Sequence, residues 1–111
     1  MPLSLVSLSL VDSPVTPGEG RKVLARDNYV CRYCGLDGRA TFENALVMRV
    51  DFVIPRAHKG KKDPNNLVAC CTACNTIKGT RVYASFDEAK TQVLARREEL
   101  RKAWQANTAQ P

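Results

Sequence analysis

The sequence predicts a small α+β domain that is stabilised by a bound metal ion, and three observations support this fold class. The chain has 111 residues, enough for one domain. A core of that size often needs a metal ion or disulfides for stability. Four of the five cysteines form two C-x-x-C pairs, and an apolar, β-branched run at residues 45–54 is followed by helix-forming segments.

The cysteine pairs predict a structural zinc site. They are Cys31/Cys34 and Cys71/Cys74. Zinc binds four thiolates at about 2.3 Å, and two residues between paired cysteines let one turn present both sulfurs. A redox-active dithiol is the alternative for a single pair, but two pairs without a secretory signal favour a structural metal. Cys70 is expected to be a small buried residue rather than a ligand.

The composition divides the chain into three parts. Residues 1–20 are interpreted as an N-terminal strand and linker, because leucines alternate with serines before a stretch rich in Pro and Gly. Residues 21–82 are interpreted as the zinc-binding domain. Residues 83–111 are interpreted as a C-terminal packing helix and tail.

Local signals predict the elements of the central part. We expect a short helix over residues 21–27 and a strand or hairpin arm over residues 45–54. Asn65 or Asn66 is predicted to cap a helix that continues to about Lys78.

The C-terminal helix has its own signals. Ser85 and Glu88 predict a capping box at its start. One apolar face is expected, and it comprises Phe86, Ala89, Val93, Leu100 and Trp104.

The charge distribution predicts a polyanionic partner. Seventeen Lys and Arg against eleven Asp and Glu give a net charge of +6. Residues 45–82 contain seven basic and two acidic residues, seven minus two, which is +5. The alternative is an ordinary solvated face. No apolar run is long enough to span a membrane, so we expect no membrane partner and a cytoplasmic location.

Three segments resemble the four-cysteine type of HNH endonuclease. They are R-D-N-Y-V-C-R-Y-C-G, V-D-F-V-I-P-R and N-N-L-V-A-C-C-T-A-C-N-T-I-K-G-T-R. The resemblance covers about residues 21–82. It implies the ββα-metal (His-Me finger) fold, in which a strand, a loop and a helix hold one divalent ion beside the scissile phosphate. It also implies a nucleic-acid partner, DNA above all.

The resemblance implies roles for particular residues. Asp51 and Asn75 correspond to the ligands of the divalent ion, Mg²⁺ or Mn²⁺. Asn66 corresponds to the residue that braces the loop, and Phe52 stands where the general-base histidine belongs. Arg56 and Lys78 correspond to basic positions near phosphate. The charge distribution adds four further residues expected to face phosphate: Lys59, Lys61, Lys62 and Arg81.

Phenylalanine at position 52 predicts that phosphodiester hydrolysis is weakened or lost. A general base contributes about 10²- to 10⁴-fold to such a reaction, and a phenyl ring cannot accept a proton. The chain has one histidine, His58, in the basic loop. One alternative is an active nuclease that uses His58 or another base. Another is a zinc-stabilised interaction module without a nucleic-acid role. A weakened nuclease predicts some gain of nicking in Phe52→His.

Overall fold

The computed structural model describes residues 15–109, so the strand predicted near the N-terminus lies outside the described part. No helix in that part combines the length and apolar character needed to cross a membrane. In chain order the elements are α1 (Pro17–Arg26), α2 (Phe42–Leu46), β1 (Met48–Phe52), a 3-10 helix (Arg56–His58), a second 3-10 helix (Pro64–Asn66), β2 (Leu67–Cys71), α3 (Thr72–Lys78) and α4 (Phe86–Thr108).

The two strands form an antiparallel hairpin that leads directly into α3. Met48 pairs with Cys71 and Phe52 pairs with Leu67, so the strands are in register along their full length. The order is strand, loop, strand, helix. The predicted small α+β fold of the ββα-metal type is therefore confirmed.

The hairpin separates two apolar clusters, because successive side chains of a strand point to opposite faces. One face carries Val50 and Phe52 and packs on α1. The other face carries Val68 and Cys70 and packs on α4 and the other cysteines. Asp51 lies between Val50 and Phe52 in the chain, so its side chain belongs to the second face.

The prediction for residues 65–78 is wrong in its first half. Residues Leu67–Cys71 form a strand, not the start of a helix, and all five are buried. A strand covered on both faces is apolar throughout, and such a run has no periodicity to distinguish it from a buried helix. The helix begins at Thr72, where Cys71 is the N-cap and accepts a hydrogen bond from the backbone N–H of Cys74.

The first helix begins earlier than predicted. It starts at Pro17, inside the stretch that the sequence assigned to a linker. Thr16 and Glu19 form a capping box there, and Pro17 occupies the first helical position, where its missing N–H has no helical partner to lose. Val23 and Leu24 of this helix are buried.

The apolar face of α4 is only partly covered. Ala89 and Val93 are fully buried, whereas Leu100 and Trp104 are 56% and 59% exposed. At the start of the helix, Ser85 accepts a hydrogen bond from the N–H of Glu88, as a capping box requires. The Glu88 carboxylate, however, accepts from the N–H of Ala84 at 2.9 Å, one residue before the expected partner.

Candidate functional site

The two cysteine pairs meet at one point of the fold. The four Sγ atoms all lie within 4.8 Å of one another, and those of Cys34 and Cys71 are 3.7 Å apart. Tetrahedral zinc–thiolate bonds of about 2.3 Å place the sulfurs about 3.8 Å apart. The sulfur positions therefore fit a structural metal ion held by four thiolates.

Each pair is shaped by its own backbone turn. Gly35 adopts φ +82° and donates its N–H to the carbonyl of Cys31 at 2.9 Å, which closes the first turn. The second pair lies at the start of α3. In both pairs the backbone N–H of the second cysteine points at the first sulfur, at 3.5 Å. These N–H groups favour charge on the sulfurs.

The crowded sulfurs favour a bound cation. Hydrogen bonds from Cys71 and Cys74 lower the pKa of the Cys31 thiol far below its usual range. The same contact raises the pKa of Cys74, because its proton is shared with Cys31. A metal ion would replace these protons and bind all four sulfurs at once, and a divalent ion would offset two of the four thiolate charges. Arg97 of α4 adds a positive group, with its guanidinium 3.6 Å from the Cys74 Sγ.

Asp27 docks the first cysteine turn on the outer edge of β2. Its carboxylate accepts from the N–H of Ala69 at 2.8 Å, from Arg26 at 3.0 Å and from Arg32 at 3.3 Å. Burial alone would raise the pKa of Asp27. The hydrogen bonds from Arg26 and Ala69 outweigh burial and hold it below its usual range. Asp27 therefore connects the turn of the first cysteine pair to β2, the strand that leads to the second pair.

Asn66 braces the loop that connects the two strands. Its side-chain oxygen accepts from the N–H of Ile54 at 2.8 Å. Its amide nitrogen donates to the carbonyls of Ile54 at 3.1 Å and Lys61 at 3.0 Å. Three hydrogen bonds from one side chain fix the two ends of the loop to each other.

This braced loop carries most of the basic residues that the sequence associated with phosphate. Of the six basic residues expected to face phosphate, Lys78 is buried. The other five are exposed: Arg56, Lys59, Lys61, Lys62 and Arg81. Lys62 forms an ion pair with Glu19 at 3.1 Å. His58 is also exposed, at the end of a 3-10 helix in the same loop. No hydrogen bond links His58 to Asp51 within residues 15–109.

Lys78 is placed differently from the prediction, because it is buried and paired with Asp51. Its side chain is fully buried, and its Nζ lies 3.5 Å from Oδ1 of Asp51 and 3.1 Å from the carbonyl oxygen of Phe52. The other oxygen of Asp51 accepts from the hydroxyl of Tyr33 at 2.6 Å. Lys78 therefore does not face a phosphate in this structure.

The surroundings of Asp51 do not fit a divalent ion. Mg²⁺ takes about six oxygen ligands in near-octahedral geometry and usually retains water. Asp51 is 5% exposed, and both of its carboxylate oxygens have donors. Burial raises the pKa of Asp51, against the lowering effects of Tyr33 and Lys78. Asn75 lies half-buried on α3, and no hydrogen bond joins it to Asp51 among the described residues.

Phe52 belongs to the core. It is 9% exposed and packs in the cluster that β1 forms with α1. Asp51 and Phe52 therefore face opposite sides of the hairpin. A histidine placed at position 52 in this conformation would enter an apolar cluster, which changes the expectation that Phe52→His simply restores a base.

Three residues with clear structural roles were absent from the sequence prediction. Tyr33 has a local sequence signal, since it stands between the first two cysteines. In the structure its ring is buried. Asp27 has Arg26 and Arg32 close to it in the chain, but the strand that it anchors, at Ala69, lies 42 positions away. Arg97 has no local signal, because its partner Cys74 lies 23 positions away.

Comparisons with known proteins agree with this architecture. The sequence profile described as HNH endonuclease matches residues 31–81, which include both cysteine pairs, both strands and α3. The chain is 40% identical over 60 residues to the CRISPR-associated endonuclease Cas9 of Corynebacterium diphtheriae. That alignment covers 53% of this chain and 5% of the Cas9 sequence, so the chain spans a small part of that relative. No significant match to a solved structure was found. Residues 31–81 of this chain are therefore similar to the HNH endonuclease domain.

Proposed function

We propose that this chain binds nucleic acid, DNA above all, through an HNH-type domain in which phosphodiester hydrolysis is weakened or lost. The family match supports the nuclease-like scaffold. The observation that carries the proposal is Phe52, which replaces a proton acceptor with a phenyl ring buried in the core. The proposed metal at the four cysteines is Zn²⁺, because four thiolates at tetrahedral spacing suit this ion.

The charge of the strand-to-strand loop and of the elements beside it supports the nucleic-acid partner. Residues 45–82 contain seven basic and two acidic residues. The buried pair of Lys78 and Asp51 removes one of each sign, and six minus one still leaves +5. Lysines on one braced loop form a surface that the phosphate backbone would attract, with displacement of counterions from the nucleic acid.

The geometry around the hairpin supports loss of hydrolysis. A general base must come within hydrogen-bond reach of the attacking water. Phe52 has no lone pair. His58 is exposed in the loop and has no hydrogen bond to Asp51 within residues 15–109. The phenyl ring at position 52 and the burial of Asp51 both support the proposed loss of hydrolysis.

The thiols also suit a reducing location, and we propose that the chain is cytoplasmic. All five cysteines are free thiols, and the four at the metal site must stay reduced to bind an ion.

Binding is tested with a labelled duplex over a series of salt concentrations. We expect log K to fall linearly with log salt. A double substitution of Lys59 and Lys61 by Ala should decrease the slope by about 2. The matched control replaces Lys90 and Lys102, two exposed lysines of α4, and should retain most of the slope. Undetectable binding at low salt would favour the interaction module.

Hydrolysis is tested by plasmid nicking with Mg²⁺ and with Mn²⁺. We expect the zinc-loaded wild-type protein to leave the plasmid supercoiled. Metal-dependent nicking that His58→Ala abolishes would contradict the proposal and establish His58 as a substitute base. Nicking that survives His58→Ala would also contradict it and would point to another base.

A further inference from the structure

We propose that the ammonium group of Lys78 takes the place of the divalent cation at Asp51, so that this domain has an internal salt bridge where an HNH nuclease would bind its catalytic metal. The inference deepens the proposed function, on which it rests for the identity of the site. It concerns metal binding rather than cleavage.

The first argument is the saturation of the Asp51 carboxylate. Tyr33 donates to Oδ2 at 2.6 Å, and Lys78 lies 3.5 Å from Oδ1. A divalent ion bound to Oδ1 would lie close to the ammonium group, and the two positive charges would repel each other in a site with little solvent. The ion can bind there only if Lys78 leaves.

The second argument is the burial of Lys78 itself. Its side chain is fully buried, and its amine also donates to the carbonyl of Phe52 at 3.1 Å. A buried ammonium is stable only with a compensating anion, and Asp51 is the carboxylate that contacts it. The pair is therefore mutually dependent: loss of either partner leaves the other as an uncompensated buried charge.

The third argument is the position of Lys78 on α3. The first turn of this helix is fixed by Cys71 and Cys74 at the metal cluster, and Gly79 ends the helix directly after Lys78. The cysteine site thereby holds the last turn of α3 over β1. In a nuclease, the four-cysteine site would position the ligands of the catalytic metal. In this chain, it positions the positively charged side chain of Lys78.

The inference is tested by Mn²⁺ titration of the zinc-loaded protein without nucleic acid, with free Mn²⁺ measured by electron paramagnetic resonance. We expect no Asp51-dependent binding in the wild-type protein. Lys78→Met removes the charge but retains length and apolar contacts, and it should bind one Mn²⁺ at least tenfold more tightly than the wild type. Asp51→Asn in that background should abolish the gain. The matched control is Lys90→Met, at an exposed lysine, which should bind as the wild type does.

A wild-type protein that binds Mn²⁺ as tightly as Lys78→Met, with loss of binding in Asp51→Asn, would overturn the inference. If Lys78→Met does not fold, ¹⁵N spectra of the lysine ammonium groups provide a second measurement on the wild type. A protected Lys78 signal that stays unchanged in Mg²⁺ supports the salt bridge. A solvent-exchanging signal, or one that shifts with Mg²⁺, contradicts it. Neither result depends on whether the protein binds or cuts DNA.

Discussion

Phe52→His tests whether position 52 is a core position rather than a catalytic site that lacks its side chain. Phe52 is 9% exposed in the cluster formed with α1. The apolar contacts of such a ring contribute about 1.5–3 kcal/mol, and an imidazole nitrogen buried without a partner costs about 1–3 kcal/mol. We therefore expect the free energy of unfolding to decrease by about 2.5–6 kcal/mol.

The pH dependence of this variant makes the test sharper. An apolar site lowers the pKa of a buried imidazole in the folded state below its unfolded value of about 6.5. The unfolded state then binds more protons at low pH, so the stability deficit grows as pH falls below that value. Denaturant unfolding at pH 8 and pH 5.5 measures both effects.

A matched control separates this effect from the chemistry of the substitution. Phe42, the first residue of α2, is 63% exposed, and Phe42→His should change stability by less than about 0.5 kcal/mol. The reasoning would be refuted if Phe52→His were as stable as the wild type at both pH values, since the side chain at position 52 would then face solvent.

Three further predictions follow from the contacts of the site. Asn66→Ala removes three loop hydrogen bonds and should cost about 2 kcal/mol, whereas Asn65→Ala, at the exposed neighbour, should be nearly neutral in the same denaturant assay. Because the folded pKa of Asp27 is lowered, its stabilisation is present above the unfolded pKa and is lost as pH falls. The stability difference between wild type and Asp27→Asn should thus be constant from pH 5 to 8 and narrow below about pH 4.5. A constant difference at all pH values would contradict the salt bridge. Arg97→Ala should speed zinc release to a chromogenic chelator about tenfold, and Arg96→Ala, at an exposed neighbour, should not. Equal rates of zinc release in Arg97→Ala and Arg96→Ala would show that Arg97 does not stabilise the bound ion.

The four-cysteine metal site could be predicted from the sequence because each C-x-x-C pair is a local signal. The spacing within a C-x-x-C pair fixes the turn, and tetrahedral coordination then requires the two pairs to meet. The second pair lies at the start of a helix, at Cys71 and Cys74, although the sequence predicted that this helix begins earlier, at Asn65 or Asn66. The family resemblance extended this to the ββα arrangement around it.

The strand at residues 67–71 could not be predicted from its own residues. Its run L-V-A-C-C is buried on both sides, by α1 on one face and by the cysteines and α4 on the other. The pattern that distinguishes strands from helices disappears under such burial. Its identity as a strand depends on its partner β1, which is a tertiary property.

The pairing of Lys78 with Asp51 was equally hidden from the sequence. A lysine at the end of a helix ordinarily faces solvent and interacts with the helix carbonyls. Here the short α3 ends over β1, and the hairpin presents a buried carboxylate beneath it. The family resemblance assigned Lys78 to the phosphate-facing surface, and only the packing of α3 on β1 reveals its partner.

The metal content of the purified protein tests the central claim, which is that four cysteines from distant parts of the chain hold one ion and thereby organise the domain. Elemental analysis should find one zinc per chain, and Cys71→Ser or a strong chelator should release it with loss of the folded state. A folded protein with no bound metal, or with its four thiols freely reactive, would contradict the account.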